Sequence, residues 1–231
     1  PLDTIFNIKF NNGVLINGEF VEIDDYKEFT PYYVELDYKP EAEPVETVDD
    51  YVAQLTNNDE KYRDLLFEIL AHGLITDPEV KRALAKFFIF VGDGGNGKGT
   101  LLSIIRSILT RENCSGLKIK QMSDERYAYS MDGKLVNLGD DIQDQPINDK
   151  DMEMLKNIST CDYMEIRKMF KNSTSATMTV SLIFTSNHIL KSWEKAESYK
   201  RRVLWLPMYS KPKRKDPRFI TKLTTQKALE Y

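Results

Sequence analysis

Gly92-Asp93-Gly94-Gly95-Asn96-Gly97-Lys98-Gly99-Thr100 sets a lysine directly after a Gly-x4-Gly spacing. Converging several backbone N–H groups on anionic oxygens needs conformations that only glycine adopts cheaply. A helix starting here adds the positive end of its dipole, and Lys98 sets a full charge against the outer phosphates of a nucleotide. The setting fits. Phe87-Phe88-Ile89-Phe90-Val91 reads as a strand buried on both faces, and Leu101, Leu102, Ile104, Ile105 and Ile108 recur at helical spacing. A plain glycine turn would require Lys98 and both flanks to coincide by chance. One departure stands out: the hydroxyl usual right after the lysine is displaced by Gly99 to Thr100, where it meets either magnesium or an inner phosphate. ATP and Mg2+ are the ligands this loop predicts, with Gly94, Gly95, Asn96, Gly97, Lys98, Gly99 and Thr100 around the phosphates.

A second apolar run, Lys134 to Gly139, ends in Asp140-Asp141. In a phosphate-loop fold such a strand is expected beside the loop strand, so that its terminal acids meet the metal. Asp140 is assigned to the metal and Asp141 to the attacking water, although adjacent strand residues point oppositely and the roles could be exchanged. The alternative is a solvated Asp-Asp loop. Met178 to Phe184 reads as another strand, leading into Thr185-Ser186-Asn187. An uncharged amide at Asn187 can donate to a terminal phosphate or hold the lytic water.

These residues must be positioned by an α/β core. Strands at Phe87–Val91, Leu135–Leu138, Met178–Phe184 and Val203–Leu206 alternate with helical stretches, which predicts a parallel central sheet. Upstream, Val14–Ile16 and Phe20–Ile23 flank Asn17-Gly18 as a small β-hairpin. Residues 38–46, with Pro40 and Pro44, read as a linker. Val48–Leu55 and Tyr62–Leu74 carry helical apolar spacing, and Asp77-Pro78 is a helix start. The division that follows is a β-rich segment and linker at 1–44, a helical subdomain at 45–86, the core at 87–210 and a basic C-terminal segment at 211–231.

With 231 residues, 41% hydrophobic and 29% charged, the chain can bury a full core. No apolar run approaches the roughly 18 residues that cross a bilayer, so no membrane is expected as a partner. The net charge of -4 argues against coating nucleic acid by bulk electrostatics. Charge is unevenly spread, however: residues 22–50 are acidic, whereas Lys200–Arg218 is basic. Cys114 and Cys161 have neither CxxC nor histidine at metal-ligand spacing, which predicts reduced thiols and a cytoplasmic compartment. Pro1 in place of methionine suggests a fragment of something longer.

Taken together, these motifs resemble those of the superfamily 3 helicases, in particular the phage, plasmid and poxvirus primase-helicases, including replication initiators of mobile elements. Asn12-Gly13-Val14-Leu15 followed by Phe20 is similar to the family's opening. Gly94 to Thr100 is similar to its Walker A motif, and Asp140 falls where it has an acid that is often glutamate. Leu155-Lys156-Asn157-Ile158-Ser159-Thr160-Cys161-Asp162, then Arg167-Lys168-Met169-Phe170-Lys171-Asn172, is similar to its next motif, with Ser159 and Cys161 replacing threonine and glycine. Thr185-Ser186-Asn187 and Arg201-Arg202-Val203-Leu204 complete the order.

The resemblance implies an AAA+-like P-loop ATPase core and a hexameric ring that hydrolyses ATP between subunits. It also implies translocation on single-stranded DNA at replication forks, in a bacterial host if phage-encoded, and further modules such as a primase. Arg201 or Arg202 would reach into a neighbour's site as an arginine finger, a device worth about 10³- to 10⁵-fold in rate. Residues 163–186 are expected to form a long hairpin with Lys171 to Ser175 near its tip, where Lys171, then Lys168, would grip DNA phosphates. Lys211 to Lys215 reads as an exposed basic loop ahead of a DNA contact. Two other readings share the phosphate loop: a nucleoside monophosphate kinase, which would need an arginine-rich lid, and a non-catalytic ATP-binding assembly module.

Overall fold

The computed structural model of the chain describes residues 3–168, 171–190, 197–213 and 215–231; Pro1, Met169 and Phe170, named above, and Arg214 within the basic run Lys211 to Lys215 lie outside them. Strands β1 (Ile8–Phe10), β2 (Gly13–Ile16), β3 (Glu19–Glu22) and β4 (Tyr32–Tyr33) form an N-terminal sheet in the order β3-β2-β1-β4. Asn17 and Gly18 take left-handed backbone, φ 50° and 83°, and join β2 to β3 antiparallel, as a two-residue hairpin turn requires. β1 and β4 are too short for sequence alternation to register. The expected linker at 38–46 begins inside this unit, because Tyr38 stacks on Phe20 at 4.6 Å and meets Phe10 edge-on at 5.4 Å.

Helices α1 (Glu46–Leu55), α2 (Glu60–His72) and α3 (Pro78–Arg82) follow. Asp59 caps α2 by accepting from the Tyr62 N–H at 3.1 Å, and Asp77 caps α3 by accepting from Glu79 at 2.9 Å. The remaining helices are α4 (Lys98–Leu109), α5 (Ile119–Met122), α6 (Glu125–Ala128), α7 (Asp149–Ser159), α8 (Glu197–Lys200), α9 (Phe219–Leu223) and α10 (Gln226–Glu230). The last two lie in the expected basic tail and bury Leu223 and Ala228.

Strands β5 (Phe87–Val91), β6 (Cys114–Ser115), β7 (Val136–Gly139), β10 (Ser181–Ser186) and β11 (Val203–Pro207) build a parallel sheet in the order β11-β5-β10-β7-β6. Every residue of β5, β7 and β10 is buried, which is why β5 reads as a continuous apolar run; β7 and β10 also bury the polar Asn137, Ser181, Thr185 and Ser186. Alternation divides them between two cores. Phe88 and Phe90 join a layer with β1, β2, α1, α2 and α4, whereas Phe87, Ile89 and Val91 join one with α5 and α7.

Three expectations need correction. The strand bearing Asp140-Asp141 is not beside the loop strand, because β10 pairs with both β5 and β7 and separates them. Apolar composition does not encode strand order. Met178–Val180 precede β10 as buried irregular chain: β10 starts where Ser181 N–H reaches Leu135 O at 2.9 Å and β7 begins to pair. The hairpin is shorter than 163–186. It consists of β8 (Tyr163–Arg167) and β9 (Ser173–Thr177) alone, paired from Tyr163↔Thr177 to Arg167↔Ser173, since residues 181–186 are taken into the central sheet. Among the described residues, no helix is long and apolar enough to cross a membrane.

Candidate functional site at the carboxyl edge of the parallel sheet

Parallel strands bring their carboxyl ends to one edge, and four of the predicted groups meet there. The glycine loop leaves β5 and enters α4. Gly94, Gly95 and Gly97 adopt φ of 94°, 68° and 91°, conformations that cost other residues roughly 1–2 kcal/mol each. Gly97 is the N-cap of α4. Gly92 has a different reason: a Cβ there would overlap the Asn96 amide and the Met208 carbonyl. Asn96, 1% exposed, donates from Nδ2 to Met208 O and thereby ties the loop to the end of β11.

Lys98 Nζ donates to Gly92 O at 2.6 Å and to Asn96 Oδ1 at 3.1 Å. Burial pushes its pKa down, opposed by the negative charges of Asp93, Asp140 and Asp141. Gly99 is exposed, and Thr100 is half-buried one turn into α4.

Asp140 and Asp141 follow β7 directly, and β10 organises them. Thr185 Oγ1, 1% exposed, donates to Asp140 Oδ1 at 2.5 Å and accepts from the Asp141 N–H at 2.9 Å. Asp141 sits at φ 50°, a left-handed conformation rare outside glycine. Asn187 Nδ2 donates to Asp141 Oδ1 at 3.2 Å. Ser186 O accepts from Gly92 N–H at 3.1 Å, so the loop and the asparagine-bearing strand end share a hydrogen bond. Among the described residues no cluster of three or more metal-ligating side chains exists. Magnesium typically binds one or two carboxylates together with substrate phosphates, and Asp140 and Thr100 are donors of the kind that ion takes.

The remaining predicted residues lie elsewhere. Arg201 and Arg202 immediately precede β11, at the amino edge of the sheet, where Arg202 O accepts from Phe87 N–H at 3.0 Å and Arg201 O from Lys86 Nζ at 2.6 Å. The length of β5, roughly 15 Å of strand, separates them from Lys98 within one chain. Lys168 and Lys171 are exposed at the hairpin turn, which is closed by Lys171 N–H donating to Lys168 O at 3.0 Å. Lys168 Nζ also stands 5.3 Å from the Tyr129 ring centroid. Ser173, Thr174 and Ser175 lie in β9 rather than at the tip.

A cleft of about 950 Å³ opens beside the loop and went unread in the sequence. Gly95, Gly97 and Thr100 form its floor, Tyr51, Gln54 and Asn57 one wall, and the chain after β11 the other. Gln54 Nε2 donates to Ser210 O at 3.2 Å, Tyr51 meets Phe219 edge-on at 5.6 Å, and Lys211 pairs with Asp93 at 3.1 Å. Asn57 and Asn58, both left-handed, turn the chain at this wall. Consecutive asparagines after a helix pattern were the available signal, and Lys211, Lys213 and Lys215 of the basic run line the lip of this cleft.

Residues 90–202 match the model of a family of unknown function, DUF5906. A search among curated proteins finds no match. Among solved structures, the chain is similar to the A form apo structure of the NrS-1 C-terminal region, with a TM-score of 0.65 and 17% identity. That likeness covers 95% of this chain and 52% of the other. A further apo structure of the NrS-1 C-terminal region gives a TM-score of 0.67 at 18% identity, over 84% of this chain and 46% of that one. The chain therefore spans about half the length of the solved chains it matches. At these identities the likeness is one of fold.

Proposed function

We propose that this chain is the ATPase motor of a superfamily 3-type DNA helicase. The observation that carries the reading is the meeting of the glycine loop with Lys98, the Asp140-Asp141 pair and Asn187 at one sheet edge, with β10 inserted between loop strand and acid strand. ATP lies with its phosphates on the Gly92–Lys98 loop and its nucleoside in the adjoining cleft. Lys98 turns from Gly92 O toward the outer phosphates, where its charge offsets theirs. Asp140 and Thr100 would hold Mg2+, which supplies charge neutralisation when bound. Asp141, fixed by Thr185 and Asn187, orients a water for attack on the γ-phosphorus. The new P–O bond forms as the bond to the β-phosphate oxygen breaks, and the water's proton leaves through Asp141, giving ADP and inorganic phosphate.

Arg201 and Arg202 stand at the opposite edge of the sheet from this site. This supports a site completed by a neighbouring subunit, hence a ring, with six subunits the number the resemblance favours. Lys168 and Lys171 at the hairpin tip would contact single-stranded DNA along its phosphates without reading sequence.

The test is ATP turnover by wild type and Lys98→Ala over a range of protein concentrations, with and without single-stranded DNA. Turnover that rises faster than concentration, responds to DNA and vanishes in the variant supports the motor. Turnover proportional to concentration and indifferent to DNA leaves an ATPase without the ring or DNA function. No turnover with intact ATP binding leaves a non-catalytic assembly module.

A further inference from the structure

Hairpin β8–β9 forms a sheet of its own with only two strands, and an isolated two-stranded hairpin is marginal in water. Along β8 only Ile166 is buried, and β9 buries no residue. Its placement therefore depends on its roots, the chain just before Tyr163 and just after Thr177.

Both roots are held by consecutive residues of α3. The first root ends α7 in a Schellman arrangement: Cys161 N–H donates to Ile158 O at 3.1 Å and Asp162 N–H to Asn157 O at 2.8 Å. Cys161 occupies the left-handed position that glycine ordinarily takes, with φ 50°. Arg82 caps this turn. Its Nε donates to Thr160 O at 3.1 Å and its Nη2 to Cys161 O at 3.2 Å, while Nη1 pairs with Glu79 at 3.2 Å. The second root is Thr179, whose carbonyl accepts from Lys81 Nζ. Lys81 is 2% exposed, so this bond is made in a dry environment.

We infer that α3 is a clamp, and that Lys81 and Arg82 are positioning residues which set the hairpin tip relative to the catalytic edge. The clamp itself stands on these hydrogen bonds; its functional consequence rests on the reading of the hairpin as the DNA-contacting element. The second root leads straight into β10, which starts at Ser181 and carries Thr185, the residue holding Asp140 and Asp141. One buried strand thus joins the hairpin root to the acids, and α3 grips the root at its other end. Neither Lys81 nor Arg82 touches the glycine loop or the acids in any hydrogen bond.

The experiment compares the full chain with Arg82→Ala and Arg82→Lys by amide hydrogen exchange, ATP turnover and single-strand binding. Arg82 is partly exposed, so its truncation spares the core; Lys81→Met is a second variant. The clamp predicts at least tenfold faster exchange over residues 163–177 in Arg82→Ala, with exchange over 87–105 and ATP affinity within about twofold of wild type. It also predicts loss of most of the DNA stimulation while basal turnover persists, and partial recovery in Arg82→Lys, which can serve one of the two carbonyls. Unchanged hairpin exchange in both Arg82→Ala and Lys81→Met overturns the clamp. Faster exchange spread evenly over the whole chain, or full DNA stimulation despite a loosened hairpin, overturns the positioning role. A wild type that ignores DNA refutes the motor reading instead, and the exchange measurement then still decides the clamp.

Discussion

Thr185→Val is the sharpest probe of how the acidic pair is held. Valine keeps the volume and branching of threonine, so no cavity opens, and the change removes only the hydroxyl. Two hydrogen bonds go with it, to Asp140 Oδ1 and from Asp141 N–H. A neutral bond contributes about 1 kcal/mol net and one to a charged group about 1.5–3 kcal/mol. Both acids are exposed, so water regains part of what is lost, which brings the charged bond to the bottom of that range. The sum is about 2.5 kcal/mol, or a fall of roughly 5–10 °C in Tm for a chain of this size. Asp141 also sits in left-handed backbone that this bond helps to hold, so turnover falls further than stability, by at least about tenfold. Thermal unfolding and ATP turnover are measured on Thr185→Val and Thr185→Ser; serine keeps the hydroxyl and retains most activity. A valine variant within about 0.5 kcal/mol of wild type and fully active would refute the assignment of Thr185 as the holder of the acids.

Other expectations follow from the same geometry. Gly97→Ala places a side chain at φ 91° against Leu55 and Tyr51; it costs about 1–2 kcal/mol and weakens ATP binding, as titration calorimetry would read. His72 is buried beside Ser181, and desolvation, then the Lys81 charge, lowers its pKa from 6.5 to about 3. The unfolded chain then binds the proton that the folded one refuses, so stability is full above pH 6.5 and is lost as pH falls toward 3, by as much as roughly 5 kcal/mol. Urea unfolding of His72→Asn across that window should lose this slope. Burial likewise lowers Lys81 to about 7, so its contribution makes stability rise between pH 7 and 10.5, a trend that Lys81→Met should abolish. Mixing Lys98→Ala with an Arg201→Ala, Arg202→Ala double variant, each inactive alone, should restore turnover if the arginines act across subunits; no recovery in mixed assemblies argues against it.

Local chemistry was legible without any structure. Asn17-Gly18 specifies a hairpin turn because few residues take left-handed backbone cheaply. Asp77-Pro78 announces a helix start, and Phe87–Val91 announces a strand buried on both faces. The Gly92–Thr100 loop is legible for the same reason, since the backbone conformations it needs leave a glycine signature. What neighbours what was not legible. The insertion of β10 between β5 and β7, the shortening of the hairpin to β8–β9, and the cleft shared by α1 and the chain after β11 all depend on contacts between residues far apart in sequence. A buried strand carries the same apolar residues whichever strand lies beside it, and Lys81 or Thr185 reads as an ordinary polar residue until the fold shows which carbonyl or carboxylate it meets. Sequence determined which backbone conformations and charges were available at this edge; only the tertiary structure decided which of them face one another, because burial and hydrogen bonding are settled between segments and not within them.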